Sequence, residues 1–567
     1  MNKFEPAKPA EGSDRLSFPS LKLGRKPALM LLGSIVVLNI LLRYPSGDHE
    51  IGLDSFFIHT LAQSVLSRGH ADWILNPLSY FGWYPLSYPS SSPFFEATLS
   101  SLSGLDVETT ILLSSLLLGP IGILGAFLLA REFSRDELFG IFVALLYGLA
   151  PKFLVFTIWT ATSRNLFMTL LPFFVWTLLR SYRSANISNV SFLLAVSVLL
   201  ATTHRLVVLV FVIVLALISA AIVHVIGRVL RTQLPAVVLS GSFRRTIPYL
   251  VVGAVGGSSL VVLLAANVLA EYSEGVLVSG SQWYVELLNL AASVGRSGGL
   301  ALPLGLVGLV VTARKRNKTA RDAFLAVSLI ALIPTFLLRE YTGFYILPFL
   351  ALYGGLGLSG LLASVRRRPR RFLVSAAILM AAVVSSSVLV LGYETEQFST
   401  LSPHTYDTAI FLNRVDPEST ILANDGLTGV RVGAVGGLRV LPVGGAGTSF
   451  QSPELLVHGF YTGNDLAGNL TRVPLQELTF ESDSLWVAAN INAELDWVAM
   501  LQAPKGILPN DLQVRYHPSY YLEVKSLSGE FFAYNNVYAS NLGVAAHQDS
   551  YCLWDNGQET LWWIRSP

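Results

Sequence analysis

The chain predicts a polytopic α-helical membrane protein of about eleven transmembrane helices followed by an extracytoplasmic α/β domain, on three observations. Apolar residues make up 52% of its 567 residues and charged residues only 13%, a balance that ordinary soluble domains do not show. Eleven apolar runs approach the roughly 20 helical residues needed to cross a hydrocarbon core about 30 Å thick. Beyond residue 391 the pattern changes to short apolar runs among Asp, Asn, Gly and Tyr. The division that follows is a tail over 1–26, a membrane domain over 27–391 with a long outer loop over 45–108, and a soluble domain over 392–567.

Taken in order, residues 1–26 are polar, with Pro and Ser and no apolar core before Pro27, which is not the pattern of a cleaved signal peptide. They are expected to form a disordered cytoplasmic tail. The eleven runs lie near 27–44, 109–130, 138–156, 165–181, 188–203, 205–226, 248–270, 297–313, 323–338, 344–365 and 372–391. The fifth and eighth are short enough to be re-entrant. Lys and Arg collect before the first run, in Arg228, Arg231, Arg244 and Arg245, after the eighth run from Arg314 to Arg321, and after the tenth from Arg366 to Arg371. Cytoplasmic loops retain positive charge, and all four clusters fall on the N-terminal side if every run crosses. The expectation is an integral plasma-membrane protein with a cytoplasmic N-terminus and an extracytoplasmic C-terminal domain. A net charge of +2 gives no bulk attraction to nucleic acid, so none is expected as a partner; membrane lipids are.

The outer loop is where chemistry-bearing residues gather. Over 47–88 it is polar and aromatic, and three carboxylates, Asp48, Glu50 and Asp54, fall within seven residues. Asp54 opens a segment with Phe57, Leu61, Val65 and Leu66 on one helical face, which predicts an amphipathic helix lying on the bilayer surface with the acids at its head. The plain alternative for Asp54 is a helix cap, because an aspartate there accepts a backbone hydrogen bond from the first turn. Its acidic company beside a bilayer favours a base or metal ligand instead. His49, His59 and His70 do not have a metal-ligand spacing.

Four basic groups stand at outer ends of apolar runs: Arg164 in TATSRN, His204 and Arg205 in ATTHRL, and Arg339 in LLREYTGFY. Each has an ordinary interfacial reading. Together they could hold a phosphate, Arg by a bidentate fork and His as a donor. Glu271 and Glu274 begin a later outer loop whose default reading is solvated.

In the soluble domain, strand-like runs at 420–423, 438–443, 497–501 and 520–524 and a helix-like piece at 406–413 predict a small α/β unit. Asp425 before glycine reads as a turn, and the Gly-rich GAVGG and PVGGAG stretches lack the spacing of a dinucleotide or phosphate loop, so no nucleotide or redox cofactor is assigned. Asn469-Leu470-Thr471 is a glycosylation sequon on the outer side. The single cysteine, Cys552, excludes an intramolecular disulfide framework.

With these residues in place the chain resembles the type C (GT-C) glycosyltransferases, polytopic membrane enzymes that use polyprenyl-phosphate-linked sugars. Asp54 in GLDSFFIH matches the aspartate that family members carry early in the first outer loop, ahead of an amphipathic helix. The local wording is similar to oligosaccharyltransferase catalytic subunits: Asp54, then Phe56-Phe57, then Trp83-Tyr84-Pro85. Ser273-Glu274 resembles their later glutamate motif, and Arg339 ahead of a run with Pro348 resembles their lipid-phosphate arginine. Two departures stand out. Thr162-Ser163-Arg164-Asn165 replaces the second acidic motif, which would cost a metal site one ligand, and the tail has no Trp-Trp-Asp-Tyr-Gly element for an acceptor sequon.

The resemblance implies an inverting transfer of sugar from a polyprenyl- or dolichyl-phosphate donor to a hydroxyl of a glycan, lipid or protein on the outer face. Asp54 would take the acceptor proton, helped by Asp48 and Glu50, with Arg339, His204, Arg205, Arg164, Glu274, Trp83 and Tyr84 binding substrate. A divalent cation, Mg or Mn, would be the only cofactor. Alternatives are an oligosaccharyltransferase-like protein N-glycosylation enzyme, a transporter or flippase of lipid-linked glycans, and a non-catalytic scaffold.

Overall fold

The computed structural model describes residues 24–45, 47–69, 91–204, 207, 210–233, 294–295, 297–315, 319–332, 342–364, 373, 377–378, 380–388, 400–416, 420–423, 426–441, 520–524, 550–556 and 559–564. The expected run at 248–270, the strand at 497–501, the sequon at 469–471 and the tail at 1–23 lie outside these residues.

The N-terminal part is helical. Its helices are α1 (Arg25–Leu41), α2 (Leu53–Arg68), α3 (Ser91–Ser103), α4 (Val107–Phe133), α5 (Glu137–Gly148), α6 (Pro151–Val155), α7 (Ser163–Arg183), α8 (Ile187–Ala201), α9 (Val210–Gln233), α10 (Ala301–Arg314), α11 (Ala320–Ala331) and α12 (Thr342–Ser364). Among the described residues, Val107–Phe133 and Gly343–Ala363 are each long and apolar enough to cross a membrane, and several shorter apolar helices pack around them. A continuous core joins α4, α5, α7, α9, α10, α11 and α12. Where α10 and α12 cross, Gly308 lies against the backbone of Tyr353 and Gly357 against that of Leu304, so a side chain at either glycine would have no room.

The run expected at 138–156 is not one helix. It breaks at Ala150, which is extended because Pro151 disfavours helical geometry in the residue before it. The chain then makes the single turn of α6 and an irregular stretch before Thr162 caps α7 by accepting a hydrogen bond from Asn165 N at 3.0 Å. This break puts 149–162 across the end of the bundle, and α1 anchors it there. The guanidinium of Arg43, fully buried, donates from Nε and Nη2 to Thr157 Oγ1 at 2.9 and 2.6 Å and lies over the Phe153 ring, and Asn39 donates to the Gly148 carbonyl at 2.7 Å.

The C-terminal part holds α13 (Pro403–Val415), β1 (Thr420–Ala423), α14 (Gly426–Gly436), β2 (Arg439–Leu441), β3 (Tyr520–Val524), β4 (Ser550–Asp555) and β5 (Glu559–Ile564). The strands form a mixed sheet in the order β2-β1-β3-β5-β4, with β1 parallel to β2 and β3, and β5 antiparallel to β3 and β4. Parallel neighbours need a crossover, and α14 supplies it between β1 and β2. The strands at 420–423 and 520–524 fall where the sequence pattern puts them. GAVGG, expected as a glycine-rich stretch after a strand, is instead the end of α14: burial of Val430, Val432 and Ala434 outweighs the low helix propensity of glycine.

α14 also corrects the expectation for α2. That helix is not an amphipathic element with one free face. Phe56, Phe57 and Leu61 pack on Val430 and Ala434 of α14, while Ile58 and Ala62 pack on Ala97, Val107, Ile111, Trp159 and Ala161. Its first two turns are enclosed by protein on both sides.

Candidate functional site

The site is built where the start of α2 meets the 149–162 crossing. Gly52 has a φ of 92°, a conformation that favours glycine, and it turns the chain into α2. Ile51 N donates to the Trp159 carbonyl at 2.9 Å, Ala161 N donates to Ser55 Oγ at 2.7 Å, and Trp159 Nε1 donates to the Glu108 carbonyl at 3.1 Å. These bonds fix the first turn of α2 against the entry to α7.

That registration brings Asp54 to Arg164. Arg164 Nη1 lies 3.0 Å from Asp54 Oδ2, with the two side chains 24% and 31% exposed, so the pair faces accessible space. Asp54 is not the cap of its helix: the capping position is Gly52, and no side chain caps α2. The Arg164 guanidinium also stands 5.3 Å from the centre of the Phe156 ring. The Lys152 ammonium shares that ring at 5.1 Å and stands 4.7 Å from Phe344 at the start of α12. One acid and two cations therefore line one rim, with Phe156 and Phe344 as its apolar floor.

Glu50, expected beside Asp54 as a catalytic acid, lies in a different setting from it. It is fully buried: the Ser55 hydroxyl donates to Oε2 and His59 Nδ1 donates to Oε1. Both oxygens are engaged, so Glu50 supports the site through Ser55 and Ala161 N. Burial would lower the His59 pKa, but the charge of Glu50 and its hydrogen bond, with Glu108 and Asp106 behind them, raise it above its ordinary value. Glu108 binds the turn from outside, accepting from Glu50 N at 3.0 Å and pairing with His49 Nδ1 at 3.1 Å. Its hydrogen bond raises the His49 pKa. Deeper still, Glu96 on α3 is pushed up to about 8 by burial, against the bond it accepts from Ser114 and with the charge of Glu50 adding to the rise.

Asp48 is exposed, and its charge acts on His49. His204 is buried and packs on Phe167, 6.2 Å between ring centres, and Phe167 meets Tyr345 of α12 at 5.3 Å. Arg205, Arg339, Glu274, Trp83 and Tyr84 lie outside the described residues. Sequence reasoning missed Lys152, although a lone lysine inside the apolar run 138–156 was the signal for it.

Among the described residues, those around Asp54 do not offer the ligand set of a divalent cation. A guanidinium already faces one Asp54 oxygen, and both Glu50 oxygens are engaged. Among the described residues no three His, Cys, Asp or Glu side chains gather as a ligand set, whereas Mg or Mn would take several oxygen donors around one point.

No protein-family model matches the chain, and no curated protein matches it by sequence. Solved structures do match. One is the Archaeoglobus fulgidus oligosaccharyltransferase tethered with an acceptor peptide containing the NVT sequon, at TM-score 0.51 and 12% identity over 73% of this chain and 64% of that one. The archaeal oligosaccharyltransferase AglB from the same organism, in complex with an inhibitory peptide and a dolichol-phosphate, matches at 0.50 with 12% identity and the same shares. ArnT from Cupriavidus metallidurans in the apo state matches at 0.50 and 13% identity over 94% of this chain and 97% of that one. The chain thus spans about 64% of the length of the archaeal oligosaccharyltransferase and nearly all of ArnT. At such identities the likeness is one of fold.

Proposed function

We propose that this chain, which has the fold of the type C membrane glycosyltransferases, moves a sugar from a polyprenyl-phosphate-linked donor to an acceptor hydroxyl at the outer face of a membrane. The observation that carries the reading is the rim on which Asp54, Arg164 and Lys152 meet. A carboxylate beside two cations over an aromatic floor suits a reaction in which an acceptor gives up a proton and a phosphate gains charge.

In that reaction the acceptor oxygen attacks the anomeric carbon. The bond from that carbon to the phosphate oxygen breaks, its electron pair leaves with the phosphate, and inversion follows from attack opposite the leaving group. Asp54 takes the acceptor proton. Lys152 and Arg164 hold the developing phosphate charge where hydrogen-bond donors and cations are worth more than in water. Arg205 and Arg339 are proposed as the continuation of this cationic wall, with His204 as a hydrogen-bond donor and Trp83, Tyr84 and Glu274 toward the acceptor. The archaeal neighbour in complex with a dolichol-phosphate supports a polyprenyl-phosphate as the lipid class. About eleven spans, a cytoplasmic N-terminus and an outer domain over 392–567 belong to the same reading, since they put α2 and the soluble domain on the side where such lipids present their sugars.

The test is transfer of radiolabelled sugar from a panel of polyprenyl-phosphate monosaccharides to membrane lipid and protein fractions. Wild type should transfer one of them, and Asp54→Asn should not. Lys152→Ala should lower kcat/KM for the donor about tenfold, the loss of one charge-assisted contact worth about 1.5 kcal/mol. No transfer from any monosaccharide donor, with transfer from an oligosaccharide-diphosphate donor, would move the reading to protein N-glycosylation. Uptake of lipid-linked glycan without transfer would move it to transport.

A further inference from the structure

We propose that Arg164 is the resident cation of the Asp54 site, its guanidinium standing where a divalent ion would otherwise act, so that the chain needs no metal ion to hold its anionic substrate. The inference rests on Asp54 belonging to the working site and deepens that reading.

Arg164 is the second residue of α7. A positive side chain in the first turn of a helix meets the positive end of the helix dipole, so this is a disfavoured place for arginine. The first turn of α7 carries no acid to offset it, and the offset comes from across the site, from Asp54 Oδ2 at 3.0 Å. The placement of Asp54 follows from its own helix: it lies in the first turn of α2, where a negative charge is favoured. Two helix N-termini therefore converge, and one carboxylate and one guanidinium meet between them. A third positive charge of +2 at the same carboxylate would sit within a few ångströms of both the guanidinium and those two dipole ends, with Lys152 across the Phe156 ring.

The alternative carboxylates are not free to rebalance that charge. Glu50 is tied to Ser55 and His59 in the buried layer, and Glu108 to His49 and the Glu50 amide. What Arg164 offers in place of a metal ion is a planar set of donors. The same guanidinium that pairs with Asp54 carries the charge that faces the donor, so acceptor-side base and donor-side charge are held at a fixed spacing. Lysine in its place would keep the charge without that fork.

The experiment titrates the full-length protein in lipid nanodiscs with Mn2+ alone, reading free Mn2+ by its electron paramagnetic resonance signal. Sugar transfer is measured in parallel before and after treatment with EDTA. Wild type is expected to leave the free-ion signal unchanged and to keep its rate after EDTA. Arg164→Asp, which adds a carboxylate where the guanidinium stood, is expected to take up Mn2+, and a second change, Asp54→Asn, to abolish that uptake. Arg164→Gln should lower transfer by about a hundredfold, as for loss of one preorganised donor, with Arg164→Lys recovering only part. Uptake of one Mn2+ per wild-type chain that Asp54→Asn removes would overturn the proposal. That titration needs neither turnover nor a folded Arg164→Asp, so a chain that binds no Mn2+ and transfers no sugar would keep the cation assignment while removing the transferase reading.

Discussion

Glu50 and Asp54 are four residues apart in the chain, yet they use their charges in different ways. Glu50 precedes α2 and faces inward. It is sealed from solvent and holds Ser55 and His59, and through Ser55 it reaches the backbone of Ala161. Asp54 is on the first turn of the helix, nearly a third exposed, against a guanidinium that is itself partly open. The difference is one of direction around Gly52. It teaches that an acid-rich segment is not a cluster of equivalent candidates: the inner acid organises the turn, and the outer acid meets whatever enters the rim.

The comparison is broken most directly by removing the charge of each acid in turn. Asp54→Asn should lower kcat for sugar transfer by about 10²- to 10⁴-fold, the usual range for a positioned general base, while leaving the thermal midpoint of the purified protein close to wild type. Glu50→Ala should do the reverse. It leaves the buried His59 ring without its carboxylate partner, which costs about 3–5 kcal/mol when one member of a buried pair is removed. The expected readout is a large fall in Tm, with the folded fraction keeping its catalytic rate per molecule. A Glu50→Ala protein of normal Tm and no activity would put Glu50 in the chemistry and erase the distinction.

A second test uses pH, because the buried layer should titrate and the rim should not govern stability. The folded Glu96 pKa is raised to about 8 by burial, so the folded state holds a proton that the unfolded state releases at a lower pH. This contribution is complete below the unfolded value of about 4.3 and falls away up to the folded value, at about 1.4 kcal/mol per pH unit at most. His59, also raised, loses stability in the same direction but only from about 6.5 upward, where its unfolded form begins to deprotonate. Glu96→Gln should therefore flatten the stability profile between about pH 5 and 6.5, where His59 adds no slope. A slope unchanged by that substitution, followed by denaturant unfolding across pH, would remove Glu96 from the buried layer's balance.

The sequence made the outer rim partly legible and the inner layer hardly at all. Asp54 was visible because it begins an apolar helix after a polar loop, and Arg164 because it stands at the end of an apolar run. Their pairing was not, since it depends on a helix break at Ala150 that reads as continuous hydropathy until Pro151 is weighed against it. Glu96 and Ser114 read as ordinary loop and span residues, and only packing of α3 on α4 makes them a buried pair. The face of α2 was misread for a related reason. Periodicity reports which side of a helix is apolar, but here a second apolar element, α14, arrives from about 370 residues away and covers a side that hydropathy assigns to a membrane. Five of the expected binding residues, Arg205, Arg339, Glu274, Trp83 and Tyr84, fall outside the described residues, so the wall they were to form stays a proposal.

The smallest expected effect lies between the two regions, at His49 and Glu108. Their side chains are 27% and 22% exposed, so solvent screens the pair, and its contribution should stay within about 1 kcal/mol. The Glu108 hydrogen bond raises the His49 pKa, with the charges of Glu108, Asp48 and Glu50 acting in the same direction against burial. A raised histidine stabilises fully below its unfolded pKa of about 6.5 and loses that contribution as pH climbs through the folded value. His49→Gln should thus lower Tm slightly at pH 6 and leave it equal to wild type at alkaline pH. The pair also ties the Glu50 amide to Glu108, since the same Glu108 oxygen accepts both bonds. If His49→Gln instead shifted Tm as strongly as Glu50→Ala, the boundary between a rigid inner layer and an open rim would have to be drawn outside His49, and Asp48 rather than Asp54 would be the first residue on the open side.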